Sequence, residues 1–404
     1  MRENDKRGLL VSLVSDQTIP NILAILHFKP DTLLFLSTQQ MERKKKIEAI
    51  LETSRKRGLN FKNYKRLIVN QDSIKDCMDK LQQWAEKESI QDYEITVNLT
   101  GGTKIMAIGT YEFFRHYPCQ MIYIPIPKNE FIVPHPPKSI MPPTKLEFRL
   151  GVIEYLTAYG LSVLNQQKAE EQGEKAVNRF EKTAFIYDNY IEIKDLLKFL
   201  CSELRSLEKG TINKLKKGRV IAFKSIYNQK LNGREKDFLR NWKFDITSKD
   251  GRFEISCSLN YDLLKYLTGG WLEEYVYTIL CDLKTKGITD VQINLQLISP
   301  KGTQNEFDVM FTYENALYFV ECKSLDQEYD IGQGILYKTG ALQTEFGLKV
   351  KAFLATQAKE VLDEGKNVKE HLAHRAQQMK TTILPLIKIK NLKSVFEEKI
   401  FSVR

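Results

Sequence analysis

Short apolar runs alternate with amphipathic stretches from residue 8 to about residue 133. The runs are rich in β-branched side chains and almost continuously apolar, which is typical of strands buried on both faces of a parallel sheet. They occupy residues 8–15, 32–38, 66–69, 93–99 and 120–126. The stretches between them, with helical spacing, are residues 39–57, 72–88 and 103–116. This alternation predicts a doubly wound α/β domain.

The proline-rich segment 124–145 interrupts the periodicity and predicts a domain boundary, with room for an edge hairpin inside it. Residues 146–164 and 186–207 then have helical spacing, and residues 210–254 could form a small basic subdomain. We therefore expect three units. They are an N-terminal domain over 1–145, a helical and basic connecting region over 146–258, and a C-terminal α/β domain over 259–404.

The C-terminal unit has its own order of elements. Its pattern predicts a helix, three strands, a helix, a further strand and a last helix. The predicted elements are helix 270–283, strand 290–299, a hairpin over 305–324, helix 332–346, strand 349–356 and helix 367–380.

Charge and cysteine content indicate what kind of partner the protein binds and in which cellular compartment it works. The net charge is +10, and residues 201–254 carry 14 Lys and Arg against 7 Asp and Glu. Such a basic stretch favours a nucleic-acid partner, although a solvated face of Lys-rich helices would look the same. The six cysteines show no CxxC spacing, and no apolar run of about 18 residues exists. We therefore expect a soluble cytoplasmic protein with reduced thiols, no structural zinc and no membrane partner.

The segment "NEFDVMFTYENALYFVECKS" (305–324) carries charges inside two apolar strands. Alternation places Glu321 and Lys323 on one face of the second strand. It also places Glu306 and Asp308 together, opposite Phe307, Val309 and Phe311. If the strands turn at residues 314–315, Asp308 lies across from Glu321.

Two carboxylates so close repel each other unless a positive charge lies between them. A hard divalent cation such as Mg²⁺ or Mn²⁺, held by Asp308, Glu321 and the carbonyl of Cys322, resolves the repulsion. Lys323 could then orient a water molecule or balance charge on a phosphate. A simple cross-strand salt bridge involving Lys323 is the structural alternative.

This segment resembles the PD-(D/E)xK nuclease superfamily, whose core motif is an Asp on one strand and Glu-x-Lys on the next. Asp308, Glu321 and Lys323 occupy the matching positions, with Phe307 where the name has proline. The resemblance implies a restriction-endonuclease-like α/β fold and a further acid on the preceding helix, "GGWLEEYVY". Glu273 is the match there, ahead of Glu274. Gln333 and Lys338 are weaker candidates for a polar residue near the scissile phosphate.

Two loops of the N-terminal domain follow predicted strands at the carboxyl edge of the sheet. They are "SDQTIPN" (15–21) and "NLTGGTK" (98–104). Gly101 and Gly102 allow a tight turn, and the N–H groups of Thr103 and Lys104 at a helix start would bind a phosphate. Neither a Walker A loop nor a dinucleotide fingerprint is present. A plain strand-to-helix turn with a threonine cap is the alternative.

Together the two motif sets resemble proteins that fuse a CRISPR-associated Rossmann-fold (CARF) sensor to a PD-(D/E)xK nuclease. These are ancillary effectors of type III CRISPR antiviral systems. The resemblance implies a Rossmann-like sensor domain and a homodimer that binds a cyclic oligoadenylate, usually cyclic tetra-adenylate, as an allosteric activator. By position, the residues that would line this ligand are Ser15, Asp16, Gln17, Thr18, Ser37, Thr38, Thr100, Gly101, Gly102, Thr103 and Lys104.

The sequence therefore favours a ligand-activated, metal-dependent endonuclease with catalytic residues Asp308, Glu321, Lys323 and Glu273. Single-stranded RNA, single-stranded DNA or nicked duplex are its expected substrates. A nucleotide-sensing, nucleic-acid-binding regulator with an inactive nuclease fold is the alternative that the basic middle region supports. A nicotinamide-dependent Rossmann enzyme is a third possibility, which lacks its glycine fingerprint.

Overall fold

The computed structural model describes residues 6–61, 63–136, 142–249, 252–299, 302–324, 350–365 and 367–402. The predicted helix 332–346, with Gln333 and Lys338, lies outside these residues.

The described N-terminal residues form a seven-stranded sheet of order β3-β2-β1-β4-β5-β6-β7. Its strands are β1 Arg7–Leu13, β2 Thr32–Ser37, β3 Tyr64–Ile68, β4 Tyr93–Asn98, β5 Cys119–Tyr123, β6 Glu130–His135 and β7 Thr144–Lys145. The first five strands pair parallel. The last two pair antiparallel at the edge, within the proline-rich segment. The predicted doubly wound arrangement is confirmed.

Helices cover both faces of this sheet. They are α1 Ile19–Phe28, α2 Gln39–Arg43, α3 Lys46–Lys56, α4 Ile74–Ala85 and α5 Lys104–Phe114. Side chains of α4 and α5 pack in one apolar cluster, and those of α1 and α3 pack in another. The helix predicted over 39–57 is divided into α2 and α3, because Lys45 between them adopts a left-handed φ of 52°.

The middle of the chain differs from its prediction in two ways. The helix expected over 146–164 is confined to α6, since Gly151 caps its start and Gly160 turns left-handed after its end. Residues 186–207 form parts of two helices that meet at Asn189. The elements here are α6 Val152–Ala158, β8 Ser162–Val163, α7 Gln166–Asn178, α8 Phe180–Asp188 and α9 Tyr190–Arg205.

The basic stretch folds as a small unit that is not purely helical. It comprises α10 Lys209–Lys216, β9 Ile221–Tyr227, α11 Gly233–Asn241, β10 Asp245–Lys249 and β11 Arg252–Leu259. Its three strands form an antiparallel sheet with β11 in the centre. The region therefore combines helices with a sheet that the sequence did not reveal.

The C-terminal residues build a second large sheet, of order β16-β15-β14-β13-β12-β8 in the described part of the chain. Its elements are α12 Tyr261–Lys265, α13 Trp271–Asp282, β12 Ile288–Ile298, β13 Gln304–Tyr313, β14 Ala316–Lys323, β15 Lys351–Thr356, α14 Glu370–Gln378, β16 Thr381–Pro385 and α15 Leu392–Phe401. Short 3₁₀ helices span Ile90–Asp92, Leu283–Lys286, Lys359–Val361 and Leu386–Lys388. Strand β8, from the middle region, completes one edge.

The two large sheets are joined by one apolar cluster. Leu10 and Ile22 of the first domain belong to the same cluster as Leu295 and Phe319 of the second, with α6 between them. In the residues that the structure describes, no helix is long and apolar enough to cross a bilayer.

Candidate functional site

The β13–β14 hairpin turns at Glu314 and Asn315, which both have positive φ, 48° and 60°. Two such residues in a two-residue turn match the right-handed twist of the flanking strands. Five residue pairs follow, from Tyr313–Ala316 to Val309–Val320. The predicted register is therefore confirmed over these pairs, and Asp308 and Glu321 come next in it.

The predicted alternation of faces breaks at Asp308. Phe307 packs against Phe319, with 5.4 Å between the ring centroids, whereas Val309 lies in the cluster on the other face of the sheet. The cause lies in the neighbouring strand β12, where Asn294 stands opposite Asp308 and adopts a left-handed φ of 50°. The expectation that Phe307 shares a face with Val309 and Phe311 was wrong.

The predicted acidic residues and lysine gather at this break. The backbone N–H of Cys322 donates to Asp308 Oδ2 at 2.7 Å, and Lys323 Nζ donates to Glu321 Oε1 at 2.8 Å. Burial raises the pKa of Asp308 well above its usual range, and the charges of Glu321 and Glu273 add to this effect. Burial would lower the pKa of Lys323, but the charges of Glu321 and Asp308 outweigh this effect and raise that pKa.

Helix α13 brings Glu273 to the same place. A π-helical turn over Tyr266–Gly270 precedes the helix, and Gly269 within it has a φ of 142° that favours glycine. Asn294 Nδ2 donates to Glu273 Oε2 at 2.9 Å. Burial raises the pKa of Glu273, while this hydrogen bond opposes the rise. Asn294 therefore acts in two ways: its left-handed backbone coincides with the break in face alternation, and its side-chain amide orients Glu273.

The neighbouring acid, Glu274, has a different environment. It is 1% exposed, and Arg179 binds both of its carboxylate oxygens, with Nε 2.5 Å from Oε2. The same guanidinium donates to Asp262 Oδ2 at 2.6 Å and lies 4.5 Å from the ring centroid of Tyr266. Glu274 is therefore held in a structural ion pair. Neither Arg179 nor Asn294 carries a motif by which the sequence could have revealed it.

The donor set suits a hard cation. Asp308 and Glu321 offer carboxylate oxygens, and the carbonyl of Cys322 follows Glu321 directly in the chain. Oxygen ligands of this kind are those that Mg²⁺ and Mn²⁺ prefer. Within the described residues, no three or more acidic, His or Cys side chains converge as a ready-made metal site. Lys323 instead supplies the positive charge beside Glu321. Binding of a cation would therefore require this lysine to move.

The two predicted loops of the first domain flank one crevice. Strands β1 and β4 are parallel neighbours, and the chain order reverses between them. In open α/β sheets ligands bind at such a switch point, beyond the carboxyl ends of the strands. Loop 14–18 follows β1 and loop 99–103 follows β4. A Cβ on Gly101 would lie 2.1 Å from the Leu13 carbonyl oxygen, so the second loop packs closely against the end of β1.

The loop after β1 has an exposed and a buried part. Asp16 is exposed and pairs with Lys44 at 2.8 Å, while the largely buried Lys46 Nζ lies 3.8 Å from it. Burial lowers the pKa of Lys46, and Asp16 opposes this. The hydroxyl of Ser15 accepts a hydrogen bond from the Gln17 N–H at 3.2 Å. No motif in the sequence marks Lys44 or Lys46.

Other side chains of this region serve the fold in the structure. Gln17 accepts a hydrogen bond from the Tyr159 hydroxyl at 3.1 Å. Thr18 is fully buried and donates to the Ala158 carbonyl oxygen at 2.6 Å. After β2, Ser37 is buried and the hydroxyl of Thr38 caps α2. The loop after β1 is thereby fastened to α6.

The loop after β4 is held by side-chain hydrogen bonds and leads into the start of α5. Thr100 Oγ1 donates to Asn98 Oδ1 at 2.6 Å and accepts the Ile124 N–H at 2.8 Å. Gly102 has a φ of 70°. Thr103 caps the helix, and Lys104 is exposed at its first residue. The exposed charge of Lys104 and the N–H groups in the first turn of α5 therefore lie on this side of the crevice.

Comparisons with known proteins match a family model to each of two parts of the chain. Residues 9–155 match the family model of the Card1 CARF domain, and residues 261–402 match that of the Card1-like endonuclease domain. No curated protein matches the chain.

Among solved structures, Can2 from Sulfobacillus thermosulfidooxidans in complex with cyclic tetra-adenylate is 18% identical, with a TM-score of 0.71 over 96% of each chain. Protein VC1899 from Vibrio cholerae is 15% identical, with a TM-score of 0.74 over 97% of each chain. A type III CRISPR defence DNA nuclease activated by cyclic oligoadenylate is 18% identical, with a TM-score of 0.50 over 92% of this chain and 52% of that one. At these identities the structures show a shared fold. The chain thus belongs to the proteins that join a Card1-type CARF domain to a Card1-like endonuclease domain.

Proposed function

We propose that this chain is a metal-dependent endonuclease of type III CRISPR antiviral defence, activated by cyclic tetra-adenylate bound to its CARF domain. One observation carries the proposal. Asp308, Glu321, Lys323 and Glu273 gather at one end of the β13–β14 hairpin, inside a domain of endonuclease family. We also assign this domain to the PD-(D/E)xK superfamily and keep the boundaries 1–145, 146–258 and 259–404.

The proposed chemistry follows from the side chains. Asp308 and Glu321, with the Cys322 carbonyl, would hold Mg²⁺ or Mn²⁺, and a bound cation supplies a Lewis acid that lowers the pKa of water. Lys323, displaced from Glu321, would hold the attacking water or balance charge on the phosphate. Asn294 keeps Glu273 turned toward Asp308. Burial, and after it repulsion by Glu321 and Glu273, raises the pKa of Asp308, and a bound cation would offset both by favouring the ionised carboxylate.

The proposed activation runs from the sensor crevice to the second sheet. Thr18 of the first loop donates to Ala158 at the end of α6, and the Val152 N–H at its start donates to Asp290 Oδ2 of β12 at 2.9 Å. Ligand binding between the loops would shift α6 and, through it, the strand that carries Asn294. A twofold ligand suits an isologous interface, so we propose a homodimer. All six cysteines are free thiols, which fits the cytoplasm.

The test is a cleavage assay with Mg²⁺ or Mn²⁺ across cyclic oligoadenylates of different ring size. Single-stranded RNA, single-stranded DNA and nicked duplex are offered separately. We expect cleavage only with activator and metal, and its loss in Asp308→Asn and Glu321→Gln. The matched control is Glu314→Gln, which removes a carboxylate at the opposite end of the same hairpin and should leave cleavage unchanged. Cleavage that persists in both site variants would refute the proposal.

A second candidate is a regulator that binds nucleic acid without cleaving it. The observation in its favour is that Lys323 and the Cys322 N–H already satisfy Glu321 and Asp308 within the chain. This candidate predicts that Mn²⁺ does not bind. Titration with Mn²⁺, followed by electron paramagnetic resonance, separates the two, since binding that requires Asp308 favours the nuclease.

A further inference from the structure

A cleft of about 750 Å³ opens beside the proposed nuclease site, bordered by the middle region on one side and by the C-terminal domain on the other. Helix α7 lines it with Lys168, Glu171, Gln172 and Lys175, which share one helical face. The end of α10 contributes Lys216, and Arg219 follows it. Residues around α12 and the π-helical turn complete the lining, and Glu273 and Glu306 border it too.

The cations of this cleft are of two kinds. Arg179 and Lys175 are engaged by Asp262, and Arg179 also by Glu274. Within the described residues, Lys168, Lys216, Arg219 and Lys265 have no acidic partner at ion-pair distance, and Glu171 is the remaining acid away from the proposed metal site. Among these described residues, the cleft therefore has more unpaired positive than negative side chains, and it ends at Glu273 of the proposed nuclease site. An excess of positive charge is what binding of a polyanion requires.

An aromatic side chain and the size of the cleft indicate the form of that polyanion. Tyr261 lines the cleft half-buried, and Lys216 Nζ lies 5.9 Å from its ring centroid. A ring flanked by cations is the usual platform on which bases of a single strand stack. Clefts of about 300–1,000 Å³ enclose ligands of drug size. This one can therefore take a few nucleotides of a single strand, whereas a double helix would have to lie across its mouth.

We propose that this cleft binds the single-stranded nucleic-acid substrate on its way to the nuclease site. Lys168 of α7 and Lys216 and Arg219 at the end of α10 hold its phosphates, and Tyr261 stacks on a base. The inference rests on the proposed function, whose site it extends. It also gives the basic middle region a role, that of one side of the substrate cleft.

The test uses the full chain carrying Asp308→Asn, so that the strand is bound and not cut. Fluorescence anisotropy measures the Kd of labelled deoxythymidine and uridine oligonucleotides, with cyclic tetra-adenylate, at several salt concentrations. The cleft variant is Lys216→Glu with Arg219→Glu. The matched control is Lys209→Glu with Lys214→Glu, which changes the same charge on the same helix at exposed positions outside the cleft lining.

We expect the cleft variant to raise Kd at least tenfold over the control and to lower the slope of log Kd against log salt by about 1.4, since each phosphate contact of a single strand contributes about 0.7. Tyr261→Ala should raise Kd about tenfold and Tyr261→Phe should not, because the ring alone stacks. Lys168→Ala, on the other helix, should weaken binding too, which guards against a local folding defect in α10.

Equal Kd values for the cleft and control variants would overturn the inference, as would absence of binding by the Asp308→Asn chain. Tighter binding of blunt duplex through the same residues would overturn the assignment to a single strand. Comparing the deoxythymidine and uridine arms shows which sugar is preferred. If the wild-type chain cleaves and the cleft variant binds the strand as tightly as its control does, the cleft assignment alone would be overturned. Cleft-dependent binding without any cleavage would overturn the proposed nuclease alone.

Discussion

Replacing Arg179 by methionine should remove more stability than most single substitutions in this protein. Its guanidinium makes two hydrogen bonds to Glu274 and one to Asp262. Glu274 is only 1% exposed, so Arg179→Met leaves a buried carboxylate without its cation. Breaking a buried ion pair on one side costs about 3–5 kcal/mol. Asp262 is 38% exposed and can be hydrated, so it adds little.

The assay can be confined to this part of the molecule. The three tryptophans are Trp84 of the N-terminal domain, Trp242 and Trp271. In a Trp84→Phe background the remaining two report on the region of Arg179, since Trp242 lies 5.9 Å from its guanidinium and Trp271 begins α13. Unfolding in urea, followed by tryptophan fluorescence, then gives the change in the free energy of unfolding for the part of the chain around Arg179. A domain-specific probe is needed because a chain of several domains need not unfold in one step.

The double variant Arg179→Met with Glu274→Leu is the control. Replacing both partners by apolar side chains should recover most of the loss, because the cost comes from the stranded charge. Cleavage should also fall in Arg179→Met, since Glu273 precedes Glu274 in the first turn of α13. A loss below about 1 kcal/mol, or a double variant as unstable as the single one, would refute the reasoning.

Three further predictions concern other parts of the chain. Gly101→Ala should destabilise the protein by about 1–3 kcal/mol or more, because its Cβ would meet the Leu13 carbonyl oxygen. The same variant should bind cyclic tetra-adenylate more weakly, as measured by calorimetry. The control Gly210→Ala, whose Cβ enters open space within α10, should be neutral or stabilising. Asn294→Gly keeps the left-handed backbone but removes the amide that orients Glu273, so cleavage should fall about 10–100-fold. Asn294→Ala should cost a further ~1–2 kcal/mol of stability in thermal melts, because alanine does not favour a left-handed backbone. Burial raises the pKa of Cys119 to about 11, so alkylation of the native thiol, measured by mass spectrometry against Cys119→Ser, should accelerate up to that pH. The unfolded thiol ionises first, so the free energy of unfolding should fall between about pH 9 and pH 11. A plateau of alkylation near pH 9 would contradict this prediction.

The sequence predicted the elements whose signals are local. Five parallel strands followed from continuous apolar runs, and the hairpin register followed from a turn position and alternating side chains. Asp308, Glu321 and Lys323 lie within one hairpin, so the turn position and the register were enough to place them near each other, although the counted faces fail at Phe307.

The remainder depends on contacts between distant segments. Strand β8 has two residues and exists because β12 pairs with it. The left-handed Asn294, which resets the faces at Asp308, is stabilised by a hydrogen bond to a helix some twenty residues away. Arg179 and Glu274 are 95 positions apart, and Arg179 lies in no recognisable motif. Such pairs are specified by tertiary packing, which overrides local pattern.

The most direct test of the account is cleavage of labelled single-stranded RNA and DNA with Mn²⁺, with and without cyclic tetra-adenylate, by the wild-type chain and Asp308→Asn. The account predicts cleavage by the wild type only when activator and metal are both present, and none by Asp308→Asn. Cleavage that is independent of the activator, or that survives in Asp308→Asn, would contradict it.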